Sequence, residues 1–247
     1  MSSKFEGSEL KFGITIRKPD IRTAFQLKCV LAYPNSLKKD FPAYYMYRDL
    51  YECEEDRKKI LRYSLRYDIT IIPPARIGEE YIKTYGHYHP RADGVSYTEI
   101  YEVLEGKAIY LLQKRGSKDS EIKDVVAVLA GKGDKVIVPP DYGHVTINPS
   151  NKTLKMANWV CRNFNSIYEP YKKLRGACYY YTTSGWIANK NYVAPEVKTV
   201  KPVIPEWLGI SKNENMYSLV EDIDRLKFLT DPLSVDYKVF STIASFN

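Results

Sequence analysis

Three histidines occur in the 247 residues, and they fall in two short segments flanked by turn residues. His87 and His89 sit in Gly86-His87-Tyr88-His89, and His144 follows Pro139-Pro140-Asp141-Tyr142-Gly143. Imidazole is the commonest side-chain metal ligand. One residue separates His87 from His89, and the period of two in a strand places both rings on one face, where they can share an ion. On the next strand Glu99, Tyr101 and Val103 have one parity and Ile100, Glu102 and Leu104 the other, so one carboxylate is offered to each side. The turn before His144 brings a returning strand back over the first pair. Three nitrogens and one oxygen leave positions open for substrate or water on a divalent Fe, Mn, Ni, Co or Zn ion. The competing reading makes His87 and His89 an exposed pair on a strand edge and His144 an ordinary turn residue.

The elements that must position these groups are short and β-rich. From Tyr67 onward, β-branched and aromatic runs are punctuated by Pro and Gly. Strands are expected over Tyr67–Ile72, Tyr81–Tyr88, Thr98–Leu104, Ala108–Gln113, Asp124–Leu129, Lys135–Val138, His144–Ile147 and Leu154–Cys161. So many short strands within such a span imply a sandwich or barrel. A further hairpin is expected around Ser184-Gly185, between Tyr179–Thr183 and Trp186–Ile187. Before the barrel, Arg22–Tyr33 fits a short helix ending before Pro34, and Asp49–Arg66 fits a helix or helical hairpin. A helix is expected near Tyr217–Phe228 in a tail that wraps the barrel. The expected organisation is an N-terminal extension over 1–40, one domain over 41–194, and a C-terminal extension over 195–247 packing on the barrel.

Composition bounds what such a chain does. Hydrophobic residues make up 44% and charged residues 27%, the balance of a globular protein rather than a disordered or collagen-like one. The longest apolar runs, such as Val125–Ala130, fall far short of the roughly 20 residues that span a bilayer. The N-terminus carries no secretory signal, so a cytoplasmic location without membrane association is expected. The formal charge is +7, but basic residues are interleaved with acids, as in Glu54-Glu55-Asp56-Arg57-Lys58-Lys59, which describes a solvated face rather than a nucleic-acid-binding arm. Cys29, Cys53, Cys161 and Cys178 are scattered, with no zinc-ribbon or disulfide spacing, and are expected as reduced, mostly buried thiols.

The order of the metal-ligating residues and their glycines and prolines resembles the two cupin motifs. Gly86-His87-Tyr88-His89 is followed by Glu99 seven residues before Gly106, then by Gly133, Pro139, His144 and Asn148. Two departures stand out: nine residues separate His89 from Glu99, which implies a loop at the barrel mouth, where loops touch substrate, and Asp141 occupies a place where many cupins have glycine. The resemblance implies an all-β core, a cupin (double-stranded β-helix, jelly-roll-like) barrel with helical N- and C-terminal extensions, and a site made by His87, His89, Glu99 and His144.

Longer stretches narrow the family. Pro42-Ala43-Tyr44-Tyr45-Met46-Tyr47-Arg48-Asp49, Leu65-Arg66-Tyr67-Asp68-Ile69-Thr70-Ile71-Ile72-Pro73-Pro74, Lys83-Thr84-Tyr85-Gly86-His87-Tyr88-His89-Pro90 and Ser166-Ile167-Tyr168-Glu169-Pro170 closely resemble the cupin-type glucose-6-phosphate isomerases of archaea. The similarity runs from about Pro42 to about Tyr192. It implies a metal-dependent aldose–ketose isomerase of glycolysis and gluconeogenesis, acting on glucose 6-phosphate and fructose 6-phosphate. It also implies a homodimer with one divalent ion per subunit, iron first and Mn, Ni, Co or Zn as alternatives. Glu99 is implied as ligand and proton-transfer candidate, and Tyr101 as a group that orients a sugar hydroxyl, its alternative being a core aromatic. Tyr45, Thr70, Thr84, Gly86 and Tyr168 match positions implied for the phosphate. Arg48 and Lys83 are either long-range attractors of anions or solvated surface groups. Rival readings are a mannose-6-phosphate isomerase or epimerase, an Fe(II) dioxygenase, and a non-enzymatic sugar-phosphate-binding cupin.

Overall fold

Ten strands carry the architecture of the chain in a computed structural model that describes residues 8–234. They are β1 (Asp20–Thr23), β2 (Pro42–Tyr47), β3 (Leu65–Ile72), β4 (Glu99–Glu105), β5 (Lys107–Arg115), β6 (Ile122–Gly131), β7 (Lys135–Val138), β8 (Tyr142–Ile147), β9 (Leu154–Cys161) and β10 (Lys198–Val200). Six form a sheet in the order β7-β4-β9-β3-β2-β1, and four form a second in the order β8-β5-β6-β10. Neighbours run antiparallel except β10, which lies parallel to β6. The two sheets enclose one core, the cupin jelly-roll arrangement expected from the sequence.

The first sheet is buried on both faces, and side-chain parity sorts its residues. On β4, Tyr101 and Val103 join the interior between the sheets, whereas Ile100 packs outward with Tyr67, Ile69, Ile71, Ala157 and Trp159. A strand covered on one side only would place polar residues on the outer face. Here the C-terminal tail supplies the cover through Leu208, Met216, Tyr217, Leu219, Val220, Ile223, Leu226, Phe228 and Leu229. Trp159 Nε1 donates to the Met216 carbonyl at 3.1 Å, and its ring stacks on Tyr217 at 5.7 Å.

The tail is not the single helix expected near Tyr217–Phe228. Its turns are 3₁₀, over Met216–Val220 and Ile223–Leu229. Tyr217 and Val220 in the first, and Ile223, Leu226 and Leu229 in the second, recur every third residue, and three residues per turn aligns each set on one face, which an α-helix would spiral away from the sheet. The helix expected over Asp49–Arg66 is shorter, Glu54–Arg62, with three acids in its first turn and Lys59 and Arg62 in its last, as the helix dipole favours.

Tyr81–Tyr88 does not form one strand. Glu80–Tyr81 joins a small sheet with Arg76–Ile77 and Tyr179–Thr182, and the chain then makes isolated bridges, His87 with His144 and Tyr88 with Ile167. Gly86 interrupts it at φ 85°, and a Cβ there would meet the Tyr171 ring at 2.5 Å, so both conformation and space require glycine. The segment before residue 41 supplies β1, whose Ile21 pairs with Tyr45, and then a capped turn, Ala24–Leu27, that continues as 3₁₀ over Lys28–Val30. Residues 1–7 and 235–247, the outer ends of both expected extensions, lie outside the described residues.

All four cysteines are free, with Cys161 and Cys178 buried, Cys53 half-buried and Cys29 exposed, so burial extends to only two thiols. Among the described residues no helix is long and apolar enough to cross a membrane.

Candidate metal centre

The register that buries Tyr101 and Val103 inside the barrel also turns Glu99 inward, beside Val160 of β9. His144 lies on β8, and a pair of backbone hydrogen bonds ties it to the H-x-H segment. His87 N donates to the His144 carbonyl at 3.2 Å, and His144 N donates to the His87 carbonyl at 3.0 Å. His87, His89, Glu99 and His144 thereby converge, with one ligand atom from each lying within 4.8 Å of all the others.

The contacts inside this group fit a cation. His87 Nε2 is 3.2 Å from His89 Nε2, and Glu99 Oε2 is 3.3 Å from both His89 Nε2 and His144 Nε2. Donors bound at about 2.0–2.2 Å in a tetrahedral or octahedral shell lie about 2.8–3.6 Å from their neighbours. The tautomers point the same way. His89 Nδ1 lies 3.0 Å from the Tyr97 carbonyl, which only accepts, so in the neutral ring Nδ1 carries the proton and Nε2 turns a bare lone pair toward a carboxylate oxygen. A divalent ion turns that repulsion into coordination. Among the described residues His144 Nδ1 is buried without a hydrogen-bond partner; the backbone pairing to His87 fixes the strand that carries the ring, and Tyr101 and Glu99 contact its Nε2.

Electrostatics keep the group ready for a cation. Burial drives His87 well below the usual imidazole range, and His144 and His89 push it further. Burial also lowers His144, against the pull of Glu99. Burial alone would raise the Glu99 carboxyl, but its contacts with His144 and then His89 outweigh that and hold it well below the ordinary carboxylate range. The site thus presents the neutral imidazoles of His87 and His144 and an ionised carboxylate.

A cleft of about 720 Å³, including its open mouth, leads to these four residues. Tyr101, Thr70, Thr84, Gly86 and Tyr168 line it as well. Tyr101 Oη is 3.1 Å from His144 Nε2, and burial, reinforced by the Glu99 charge, keeps its phenol protonated. Thr84 Oγ1 accepts from Thr146 N at 3.0 Å, which leaves its proton free for the cleft. Tyr45 is not brought there. It lies on the outer face of β2 among Tyr47, Ile69 and Ile71, and Tyr44, one residue earlier and of opposite parity, takes the place in the cleft.

The two candidate cations differ. Arg48 lines the cleft, paired with Asp20 at 3.0 Å and Asp68 at 3.5 Å. Lys83 is neither solvated nor in the cleft: it is buried, 2.6 Å from both Glu80 Oε1 and the Val30 carbonyl. Glu102 faces outward and is buried against Lys135.

Other residues escaped the sequence reading. Asn158 Nδ2 donates to Glu99 Oε1 at 2.8 Å, and Asn158 stands between Tyr101 and Asp68 in the sheet register. Its parity on β9, shared with Met156 and opposite to Trp159, was the available signal. Arg22 lies with its guanidinium 5.6 Å from the Tyr85 ring and 5.9 Å from the Tyr168 ring, in a segment without a metal-ligating residue to draw notice. The long loop after His89 is a hairpin of Arg91–Ala92 with Val95–Ser96 that does not line the cleft; its Tyr97 carbonyl fixes His89. Asp141 adopts φ 66°, the conformation for which glycine is usual, and Asp is among the few other residues that accept it; its carboxylate pairs with Arg91 at 2.9 Å.

Comparison with known proteins places the chain in a family. The family model described as glucose-6-phosphate isomerase (GPI) matches residues 21–196. The glucose-6-phosphate isomerase of Thermococcus kodakarensis is 31% identical over 118 residues, which is 48% of this chain and 54% of that protein. That of Pyrococcus abyssi is 31% identical over 116 residues, 47% of this chain and 53% of the relative. The chain thus spans about half the length of the curated relatives it matches. Among solved structures, the oxalate decarboxylase of Bacillus subtilis aligns at a TM-score of 0.36 and 15% identity, over 51% of this chain and 27% of that one, a likeness too distant to argue from.

Proposed function

This chain belongs to the glucose-6-phosphate isomerase family, and from that premise we propose that it interconverts glucose 6-phosphate and fructose 6-phosphate with a divalent metal ion held by His87, His89, Glu99 and His144. The observation that carries the reading is one cleft with a cation-ready donor set at its floor and the uncharged donors of Thr70 and Thr84, with the glycine backbone of Gly86, along its wall. An ion bound there supplies Lewis-acid stabilisation of the negative charge that develops on the sugar oxygens as the carbonyl moves between C1 and C2.

The chain's own groups divide the remaining work. Glu99 has Oε1 engaged by Asn158 and Oε2 turned to the imidazoles, so its proton affinity is low. In the proposed reaction it acts first as a ligand, and as a proton acceptor only for an acidified C–H. Tyr101 presents a protonated hydroxyl beside His144 and orients or protonates a sugar oxygen. Thr70, Thr84, Gly86 and Tyr168 hold the phosphate, with uncharged hydroxyl and backbone N–H donors. Iron is the first candidate for the ion, and Mn, Ni, Co and Zn are the alternatives. A homodimer is proposed with it; β1 ends the larger sheet, with Ile21 46% exposed, and offers an edge for a second copy.

The test is an isomerase assay on chelator-stripped protein with divalent ions restored singly, using glucose 6-phosphate and mannose 6-phosphate in parallel. Loss on stripping and recovery on restoration, with glucose 6-phosphate preferred, is the expected result. Full activity after stripping, or turnover of mannose 6-phosphate alone, would refute the proposal.

A further inference from the structure

A phosphomonoester bound near ionised Glu99 brings up to two further negative charges into a partly buried cleft, where hydroxyls alone leave them uncompensated. The cationic groups that line the cleft are already engaged. Arg66 Nε lies 2.9 Å from both oxygens of Asp68, and Arg48 is paired with Asp68 and Asp20. Lys83 is turned away to Glu80. Arg22 differs: among the described residues no carboxylate pairs with it, and the Tyr44 hydroxyl and aromatic rings hold it instead. It is placed by β1, where it pairs in register with Tyr44 of β2. Its guanidinium lies over Tyr85 and Tyr168, which meet edge to face at 5.4 Å and both line the cleft. Tyr85 stands between Thr84 and Gly86 in the chain, and its N–H donates to Tyr44 Oη at 3.3 Å. A cation without a carboxylate partner is thereby kept beside two tyrosines that line the cleft, Tyr85 being next in the chain to both Thr84 and Gly86.

We propose that the Arg22 guanidinium binds the phosphate of the substrate and sets the preference for phosphorylated over free sugars. A planar guanidinium offers two parallel N–H donors to phosphate oxygens, and aromatic faces fix its plane without neutralising it. The identity of the substrate rests on the isomerase reading; the anion site itself does not.

The experiment uses the metal-loaded full chain and the variants Arg22→Met and Arg22→Lys. Arg22→Met is expected to raise KM for fructose 6-phosphate, and to weaken inhibition by inorganic phosphate, by on the order of 10- to 100-fold, the weight of a charge-assisted contact, with kcat changing far less. Arg22→Lys, which keeps the charge and loses the fork, falls between; it also serves as the test should Arg22→Met fail to fold. Unchanged KM and phosphate inhibition, or a fall in kcat alone, would overturn the proposal while leaving the isomerase reading intact. If the wild-type protein turns over no sugar phosphate, calorimetric titration with inorganic phosphate still decides: tenfold weaker binding in Arg22→Met supports the site, and equal binding overturns it.

Discussion

Glu102 and Glu99 lie three residues apart on one strand and face opposite sides, so replacing each by glutamine separates a stability role from a metal role. Glu102 Oε1 lies 3.3 Å from Lys135 Nζ, both side chains are almost wholly buried, and Oε2 accepts from Met216 N at 2.7 Å. Lys135 Nζ also donates to the carbonyls of Ser211, Lys212 and Glu214, so the pair docks the tail onto the sheet. Removing one partner of a buried pair costs about 3–5 kcal/mol. Both carboxylate oxygens face donors, so the NH2 of glutamine is turned against either Lys135 Nζ or the Met216 N–H, a conflict a protonated carboxyl avoids, and Glu102→Gln is expected to cost about 3 kcal/mol, or roughly 6–12 °C in Tm for a chain of this size.

Burial raises the Glu102 carboxyl, with Met216 N and Lys135 only partly opposing it. The folded chain therefore holds that proton more tightly than the unfolded one, and the group's contribution is fully present below its ordinary value and lost as pH rises through the raised one. At neutral pH the ionised pair is thus costly to bury, and Glu102→Gln combined with Lys135→Met is expected to recover at least half of the single-variant loss. Thermal melts of metal-free protein measure both, and metal titration is expected to match wild type in each. Glu99→Gln is expected to behave oppositely, losing metal affinity without a comparable fall in Tm. Loss of metal by Glu102→Gln at unchanged Tm would refute the register.

His87 and His144 are depressed in the folded chain, so their contribution is present above the ordinary imidazole value and lost as pH falls toward the depressed one. Denaturant titrations of metal-free protein are expected to show stability falling between pH 7 and 5, by at most about 2.7 kcal/mol per pH unit for two such groups. The raised carboxyls of Asp68 and Glu102 offset part of this, and the slope should shrink in His87→Gln. Flat stability over that range in both proteins would exclude buried neutral imidazoles. Asn158→Ala releases Glu99 Oε1 and is expected to weaken metal binding by about 10- to 100-fold in a competition titration, with little change in Tm; unchanged affinity would show that Asn158 does not hold the carboxylate.

The donor set was legible because metal ligation restricts residue types, and a chain with three histidines offers few ways to satisfy it. Strand parity put Glu99 and Glu102 on opposite faces, and the spacing from Glu99 to Gly106 then favoured Glu99. Parity was equally available for β2, yet the resemblance pointed to Tyr45, while the fold brings Tyr44 to the cleft. Asn158 and Arg22 were hidden for a different reason: each works through a neighbour distant in sequence, Glu99 in one case and Tyr85 with Tyr168 in the other. Lys83 looked like a surface charge because the Val30 carbonyl that helps bury it lies far off in sequence, although its partner Glu80 is only three residues away. The strand expected over Tyr81–Tyr88 breaks after Tyr81 into isolated bridges, and within it Gly86 takes a left-handed backbone where a Cβ would meet the Tyr171 ring.

The family match ends at residue 196, and the C-terminal tail beyond that point covers the sheet that carries the site. Glu99, Tyr101, Asn158, Asp68 and Thr70 are polar groups on the inner face of a sheet whose outer face is apolar, and that face is covered from Leu208 to Leu229. Truncation after residue 204 would bare Tyr67, Ile100, Ile137 and Trp159 together, a contiguous patch of the kind that soluble monomers avoid. It would also take the Met216 N–H from Glu102 and three carbonyls from Lys135, leaving a buried pair half-satisfied. Thr98, at the start of the ligand strand, would lose its hydrogen bond to the Phe228 carbonyl. The truncated chain is therefore expected to lose cooperative melting and to bind a hydrophobic dye even with metal in excess. Recovery of a soluble, metal-binding protein melting within about 5 °C of the full chain, a difference near 1–2 kcal/mol, would show that the barrel holds its metal ligands without the tail.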